Sequence, residues 1–163
     1  MKFIADGMLG KITRWLRLLG HDVKYSNRLD DAALIAAAKK EKRILLTRDF
    51  ELHKQAIAKG IIAFYVEGET GEEKLAEIAK RFDVDLSVDM ATSRCPKCNS
   101  RVRPISKEKV ADEVKKSTFA HYEEFWKCRK CAQIYWQGAH WKGIRRELDK
   151  TREVLETMRE EST

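Results

Sequence analysis

The sequence predicts an α/β fold: a parallel sheet with helices on both faces, followed by a small cysteine-containing module and a C-terminal helix. Three observations predict it. Short apolar runs alternate with helical periodicity over the first 82 residues, the composition changes after Asp89, and apolar residues return to helical spacing in the charged C-terminal segment. Strands that alternate with helices indicate a parallel sheet with right-handed crossover connections.

The first 82 residues hold four predicted strand–helix units. The predicted strands are short apolar runs over 2–6, 21–26, 43–47 and 61–66, and the predicted helices span 7–20, 30–42, 51–60 and 71–82. In the first helix, Met8, Ile12, Trp15 and Leu19 recur at spacings of three and four, and Gly20 ends it. The third strand, "RILLT", shows little alternation, which is typical of a parallel strand covered on both faces.

The remaining residues differ from this pattern. Residues 93–141 contain all four cysteines, polar stretches and aromatic residues. The final segment has Ile144, Leu148 and Leu155 on a charged background, which predicts a helix. We therefore expect three parts: an α/β domain over 1–90, a cysteine module over 91–141 and a helical tail over 142–163.

The composition restricts the class of protein. The chain has 33 basic and 26 acidic residues, a net charge of +7, which suits a polyanionic partner such as nucleic acid. The N-terminus has no apolar signal-peptide region, and no run approaches the roughly 18 apolar residues of a membrane span. The sequence therefore predicts a cytoplasmic protein with no membrane association. In that compartment, paired cysteines indicate metal binding rather than disulfides.

The cysteines form two Cys-x-x-Cys pairs, "CPKC" and "CRKC", at Cys95, Cys98, Cys128 and Cys131. This spacing lets a tight turn aim two sulfurs at one ion, and four thiolates complete a closed tetrahedral zinc site. A site without an open position is structural, so we expect zinc to stabilise the fold of this module.

Aromatic residues and a histidine follow the second pair. Tyr135, Trp136, His140 and Trp141 lie within seven residues. Two interpretations remain open: the rings either fill the core of a small module or provide a surface on which bases stack. His140 and His121 are alternative zinc ligands, although four cysteines already complete a tetrahedral site.

Acidic residues follow three of the predicted strands. Asp6 ends the first strand, Asp30 and Asp31 follow the second, and Asp49 follows the third. The carboxyl ends of parallel strands lie at one edge of a sheet, so these acids are expected to converge there. Close carboxylates repel one another, and a divalent cation such as Mg²⁺ or Mn²⁺ relieves that repulsion. Each acid also has a simpler explanation as a helix cap or turn residue.

Basic residues accompany these acids. Lys11, Arg14 and Arg17 recur every three residues on the first predicted helix, and Arg48 precedes Asp49. The stripe is either a solvated face or a surface that holds a phosphate backbone. Arg48 either contacts phosphate or neutralises one of the acids.

Several segments resemble the Mut-seven C-terminal RNase family, in which a PIN-like nuclease domain precedes a zinc ribbon. They are "MKFIADGMLGKITRWLRLLGHDV", "DDAALIAAA", "RILLTRD", "SRCPKCN" and "CRKCAQIYWQGAHW". The resemblance implies a PIN-like fold and a metal-dependent ribonuclease whose motif acids fall on Asp6, Asp31 and Asp49. PIN nucleases usually have a fourth acid near the fourth strand, where this chain offers only Glu67 and Glu69.

The sequence thus predicts an RNA endonuclease in which Asp6, Asp31 and Asp49 hold Mg²⁺ or Mn²⁺ and basic residues position the RNA backbone. One alternative is an RNA-binding or ribosome-associated module without catalysis. Another is a toxin-type PIN nuclease.

Overall fold

The computed structural model describes all 163 residues, and its first half contains a four-stranded sheet. The strands are β1 (Lys2–Ala5), β2 (Asp22–Tyr25), β3 (Ile44–Thr47) and β4 (Ala63–Tyr65). They are arranged in the order β2-β1-β3-β4, and all neighbouring strands are parallel. The predicted parallel sheet is confirmed.

Four helices connect or follow these strands. They are α1 (Gly10–Leu18), α2 (Asp31–Glu41), α3 (Phe50–Ala58) and α4 (Gly71–Phe82). The first is shorter than the predicted 7–20, because residues Gly7–Leu9 form a 3₁₀ turn that Asp6 caps. Gly20 follows the helix at φ 98°, a conformation that favours glycine.

The sheet is covered on both faces, as predicted. Phe3, Ala5 and Leu46 point to one face and pack with residues of α1 and α4. Ile4 and Leu45 point to the other face and pack with residues of α2 and α3. Adjacent residues of a strand face opposite sides, so both must be apolar when both faces are covered. This explains the continuous apolar run of β3.

The cysteines accompany a second, antiparallel sheet of three strands, and Cys128 is the last residue of one of them. The order of this sheet is β5 (Val102–Ile105), β6 (Phe125–Cys128) and β7 (Ile134–Tyr135). A 3₁₀ turn (Lys107–Val110) and the short helix α5 (Lys116–His121) lie between β5 and β6. This long connection occupies the sequence between the two cysteine pairs.

The chain ends in the helix α6 (Trp141–Glu161). Its Leu148 and Leu155 are buried in the core that β1 shares with α1 and α4. The predicted C-terminal helix is confirmed, and it packs on the α/β part. The predicted division into 1–90, 91–141 and 142–163 stays a prediction, because packing alone does not show which segment folds independently. No helix combines the length and apolarity needed to cross a membrane.

Candidate active site and metal centre

The first candidate site lies where β1 and β3 end side by side. β1 pairs with β3 through Ala5 and Leu46, and the Asp6 amide extends this pairing by donating to the Leu46 carbonyl at 3.1 Å. Asp6 is only 6% exposed. Sheet register therefore brings Asp6 beside the residues that follow β3.

Three donors hold the Asp6 carboxylate. Its Oδ1 accepts from the Met8 amide at 2.9 Å. Its Oδ2 accepts from the Thr47 hydroxyl and from the Arg48 amide, the latter at 3.1 Å. A carboxylate that is bonded through both oxygens has little rotational freedom. Asp6 is thus a buried carboxylate held in a fixed orientation at the edge of the sheet.

Thr47 links two of the predicted acids. Its buried hydroxyl donates to Asp6 and accepts the Asp49 amide at 2.9 Å. Sequence reasoning treated Thr47 only as the last residue of a strand. The available signal was a lone hydroxyl that ends an otherwise apolar strand next to two acids.

Asp49 caps α3 and is exposed. Its Oδ1 accepts from the amides of Glu51 and Leu52 at 2.9 and 3.2 Å, whereas its Oδ2 accepts no hydrogen bond from the protein. Asp49 therefore caps α3 through one oxygen. Its role in a metal site stays a prediction, for which the second oxygen is free.

Asp30 and Asp31 differ in their surroundings. Asp30 is the N-cap of α2, and its Oδ1 accepts from the Ala33 amide at 2.8 Å. The Asp31 carboxylate accepts no hydrogen bond from the protein. Partial burial raises the pKa of Asp31, and the negative charges of Asp49, Asp30 and Asp6 raise it further. Asp31 is thus close enough to the other acids for their charges to oppose its ionisation.

The acids are close but do not form a tight cluster. Their oxygens do not all lie within 4.8 Å of one another, unlike the cysteine sulfurs. Two oxygens bound to one Mg²⁺ at 2.0–2.1 Å lie no more than about 4.2 Å apart. The donor set suits a divalent cation in its oxygen chemistry and mutual repulsion. At least one acid would reach a shared ion through water or after a change of rotamer.

Arg48 is tied to the loop after β4. Its Nη1 donates to the carbonyls of Val66 and Gly68, and its Nη2 lies 3.7 Å from a Glu69 carboxylate oxygen. Glu69 thus pairs with an arginine. Glu77 of α4 lies behind Glu67 and accepts its amide at 3.0 Å. Burial raises the pKa of Glu77, although the amides of Glu67 and Gly68 stabilise its charged form.

The predicted basic stripe divides into two kinds of residue. Lys11 and Arg14 are exposed, and Lys11 lies 3.9 Å from Glu147. Arg17 is 7% exposed. Its guanidinium donates to the Val23 carbonyl at 2.8 and 3.0 Å and to the Pro96 carbonyl at 2.9 Å. Three of the five N–H donors of Arg17 are therefore hydrogen-bonded within the protein, unlike those of an arginine on a solvated face.

Aromatic side chains of α3, the helix that Asp49 caps, pack against β4. Phe50 is 55% exposed, and its ring packs edge-on against Tyr65 with centroids 5.7 Å apart. His53 lies within 6.5 Å of both rings. These residues line an open cavity of about 680 Å³ that also includes Glu67 and Glu77. Sequence reasoning did not single out these rings, because they are separated along the chain.

The second candidate site is the cysteine cluster. The sulfurs of Cys95, Cys98, Cys128 and Cys131 all lie within 4.8 Å of one another. The Cys95–Cys131 and Cys98–Cys128 sulfur pairs are 3.6 and 3.4 Å apart. Four sulfurs around zinc at about 2.3 Å would be about 3.8 Å apart, so the cluster suits a tetrahedral metal site. The observed sulfur–sulfur distances are much longer than the S–S bond of a disulfide, which is about 2.05 Å.

The thiols are arranged to favour ionisation of at least one cysteine. Burial opposes ionisation of Cys128. Hydrogen bonds from the amides of Cys131 and Lys130 and from the side chains of Cys98 and Cys131 together outweigh this effect and lower the pKa of Cys128 to about 7. Asn99 and Ala132, which follow the second cysteine of each pair, both have positive φ, at 72° and 62°. Both pairs thus end in the same left-handed turn, and the histidines His121 and His140 lie outside the cluster.

The aromatic residues after the second pair mainly pack. Trp141 is 7% exposed, and its indole N–H donates to the Trp136 carbonyl at 3.0 Å. The Tyr135 hydroxyl lies 2.9 Å from the Cys95 sulfur. Of the two interpretations of this segment, the core-filling one describes Tyr135 and Trp141.

Fold and site together define an α/β protein with acids at the carboxyl edge of its sheet and a four-cysteine module that can hold a metal such as zinc. The Mut7-C RNAse domain family matches residues 1–148, and the chain belongs to this ribonuclease-type family. Searches among curated proteins and among solved structures found no significant match. Family membership confirms the resemblance seen in the sequence.

Proposed function

We propose that the protein is a metal-dependent ribonuclease that cleaves internal phosphodiester bonds of RNA. Asp6, Asp31 and Asp49 would hold Mg²⁺ or Mn²⁺, and structural zinc would be held by the four cysteines. The observation that carries the proposal is the Thr47 hydroxyl, which joins Asp6 to the Asp49 amide at the edge where β1 and β3 end. The charges of Asp49 and Asp6, which raise the pKa of Asp31, support including Asp31 in the same site.

The three acids would contribute to cation binding in different ways. Asp6 is a preorganised ligand, since three donors fix both of its oxygens. Asp49 offers its second oxygen while its first caps α3. Asp31 accepts no hydrogen bond from the protein and so offers a free carboxylate. When bound, the cation activates water and stabilises charge on the phosphate under attack.

Other residues would position the RNA. Lys11 and Arg14 are exposed cations on α1, which begins just after Asp6. The Phe50 ring, which is 55% exposed and adjacent to Asp49 in the chain, would offer a stacking surface. Arg48 orders the loop after β4 and supplies an amide to Asp6, so we assign it a positioning role rather than a direct phosphate contact.

The test compares two adjacent aspartates. Purified protein is incubated with labelled single-stranded RNA and Mn²⁺, with and without EDTA. We expect Asp31→Asn to abolish cleavage and Asp30→Asn to retain it, because asparagine still caps α2 at position 30. Equal activity of Asp31→Asn and wild type would contradict the assignment.

A circular RNA substrate tests the position of cleavage. An endonuclease opens a circle, whereas an exonuclease needs an end. If the wild-type protein binds RNA but yields no products with Mn²⁺ or Mg²⁺, the chain is an RNA-binding module and the ribonuclease proposal is wrong.

A further inference from the structure

A cleft lies between the α/β part and the cysteine module. One wall is α1, with Lys11, Arg14 and Arg17, and the other is the first cysteine turn, with Pro96 and Lys97. Its volume is about 680 Å³, within the range of ligand-binding clefts.

The charge of the cleft has one sign. Four basic residues and no acidic residue line it. Arg14 makes no ion pair, Lys97 donates only to the Gln133 side chain at 3.1 Å, and Lys11 is 3.9 Å from Glu147. Like charges gathered in a concave surface attract a polyanion, and two of these four residues, Arg14 and Lys97, make no ion pair within the protein.

Hydrogen bonds hold the two walls together. Arg17 donates to the Pro96 carbonyl at 2.9 Å, and the Arg94 amide donates to the Arg17 carbonyl at 2.9 Å. The Asn99 side chain accepts the Val23 amide at 3.0 Å and donates to Asp22 at 2.7 Å. The cleft is thus a preformed feature, because both walls are tied through α1 and β2.

One wall of the cleft contacts the segment that follows Asp6. Tyr25, the last residue of β2, lies in its wall and donates its hydroxyl to the Gly7 carbonyl at 3.0 Å. Gly7 directly follows Asp6. At Gly10 a Cβ would lie 3.0 Å from the Tyr25 hydroxyl, so glycine lets this ring approach α1. Through Tyr25, the wall of the cleft therefore contacts the residue that follows Asp6.

We propose that this cleft binds the sugar–phosphate backbone of single-stranded RNA, with Arg14 and Lys97 contacting phosphates from opposite walls. The cysteine module would then be part of the substrate site. The inference rests on the proposed function for the nature of the polyanion, but it concerns binding and not cleavage.

The chain contains a matched control. Lys97 and Lys130 occupy the same position in their Cys-x-x-Cys turns, and both are exposed. Lys97 lines the cleft and Lys130 does not. A general effect of charge near the zinc site would be the same for both lysines, whereas a contact in the cleft involves only Lys97.

The experiment measures binding of a fluorescein-labelled oligouridine RNA to the zinc-loaded full chain by anisotropy, over a series of salt concentrations and without Mg²⁺ or Mn²⁺. We expect Lys97→Gln to weaken binding and to lower the magnitude of the log–log salt slope by about 0.7, the value for one phosphate contact on a single strand. Arg14→Gln should weaken binding and lower the salt slope in the same way. Lys130→Gln should match the wild type, and Lys97→Arg should restore the slope.

The outcomes separate this inference from the ribonuclease proposal. Equal salt slopes for Lys97→Gln and Lys130→Gln would overturn the proposal that the cleft binds RNA, even if the wild type cleaves RNA with Mn²⁺. If Lys97→Gln lowers the salt slope, Lys130→Gln does not, and the wild type never cleaves RNA, the cleft is an RNA-binding site and the ribonuclease proposal is wrong. Zinc content and melting temperature show that each variant is folded; if Lys97→Gln loses zinc, Arg14→Gln on the opposite wall decides the result.

Discussion

Asp6 is positioned by atoms from three residues, and the most informative of them is Thr47. The Thr47 hydroxyl donates to Asp6 and accepts the Asp49 amide, so one buried side chain fixes the relative placement of two acids. Groups that orient metal ligands commonly affect activity by 10- to 100-fold when they are removed. Thr47, at the end of β3, therefore positions both of these acids in the proposed site.

Replacement of Thr47 tests this role. We expect Thr47→Val, which keeps the shape and removes the hydroxyl, to lower Mn²⁺-dependent cleavage by about 10- to 100-fold. The melting temperature should also fall, because the buried Asp6 carboxylate loses a donor. Thr47→Ser should restore activity. A Thr47→Val enzyme with wild-type activity over a full Mn²⁺ titration would rule out the positioning role.

The acids should also differ in their effect on stability. Folding raises the pKa of Asp31 above its ordinary value of 3.8. The folded state then binds the proton more tightly than the unfolded state, so stability is lost as the pH rises through the folded pKa. We expect Asp31→Asn to raise the melting temperature of the metal-free protein at pH 7. This advantage should disappear near pH 3, where Asp31 is protonated in both states.

Asp6→Asn provides the opposite case. The Asp6 carboxylate accepts from Thr47, Arg48 and Met8, and asparagine replaces one acceptor oxygen with a donor. We expect Asp6→Asn to lower the melting temperature measured in the same calorimetric series. If both substitutions shift the melting temperature in the same direction, the contrast drawn between a fixed and a free carboxylate is incorrect.

At the scale of elements, the caps and cysteine turns follow from local sequence. Asp30 and Asp49 cap α2 and α3, and the Thr70 and Glu73 side chains form a capping box at α4. Each cap satisfies amides that the first helical turn leaves without partners. The two cysteine turns end alike at Asn99 and Ala132, which suits two equivalent halves of one metal site.

The metal content of the cysteine module is directly measurable. We expect one zinc per chain by elemental analysis, retained under mild EDTA treatment that removes Mg²⁺, because four thiolates hold zinc more tightly than carboxylates hold Mg²⁺. Cys128→Ser should lower the zinc content, and Lys130→Gln serves as a control in the same turn. Zinc-free protein, or an unchanged zinc content in Cys128→Ser, would contradict a zinc site.

At the scale of the whole molecule, the modules are joined by buried polar contacts and by α6. Arg17 connects α1 to the Val23 carbonyl of β2 and to Pro96 of the first cysteine turn. The Ser93 hydroxyl donates to the Leu18 carbonyl at 2.6 Å. α6 buries Leu148 and Leu155 in the α/β core, although it follows the cysteine module in sequence.

Arg17→Gln tests this connection. The substitution leaves buried carbonyls without donors, and we expect the free energy of unfolding to fall by about 2 kcal/mol. Arg14→Gln, on the exposed side of the same helix, should leave the melting temperature unchanged. The measurement is thermal unfolding followed by calorimetry and by zinc release. A melting temperature equal to that of the wild type would show that Arg17 does not join the modules.

The sequence by itself determined the elements and the chemistry they carry. The alternation of apolar runs and helical periods predicted the parallel sheet and its helices, because backbone period and burial act locally. The Cys-x-x-Cys spacing predicted the clustered cysteines. The position of Asp6 and Asp49 at strand ends predicted that they lie near one edge, since parallel strands end together.

Only the tertiary structure decided which members of similar groups face the site. Arg14 and Arg17 look equivalent in the stripe, yet one is exposed and the other donates to backbone carbonyls. Lys97 and Lys130 look equivalent in their turns, yet only Lys97 lines the cleft. The physical reason is that such choices depend on contacts between segments far apart in sequence: Arg17 lies 79 residues from Pro96, and no local pattern records which carbonyl will lie opposite a given side chain.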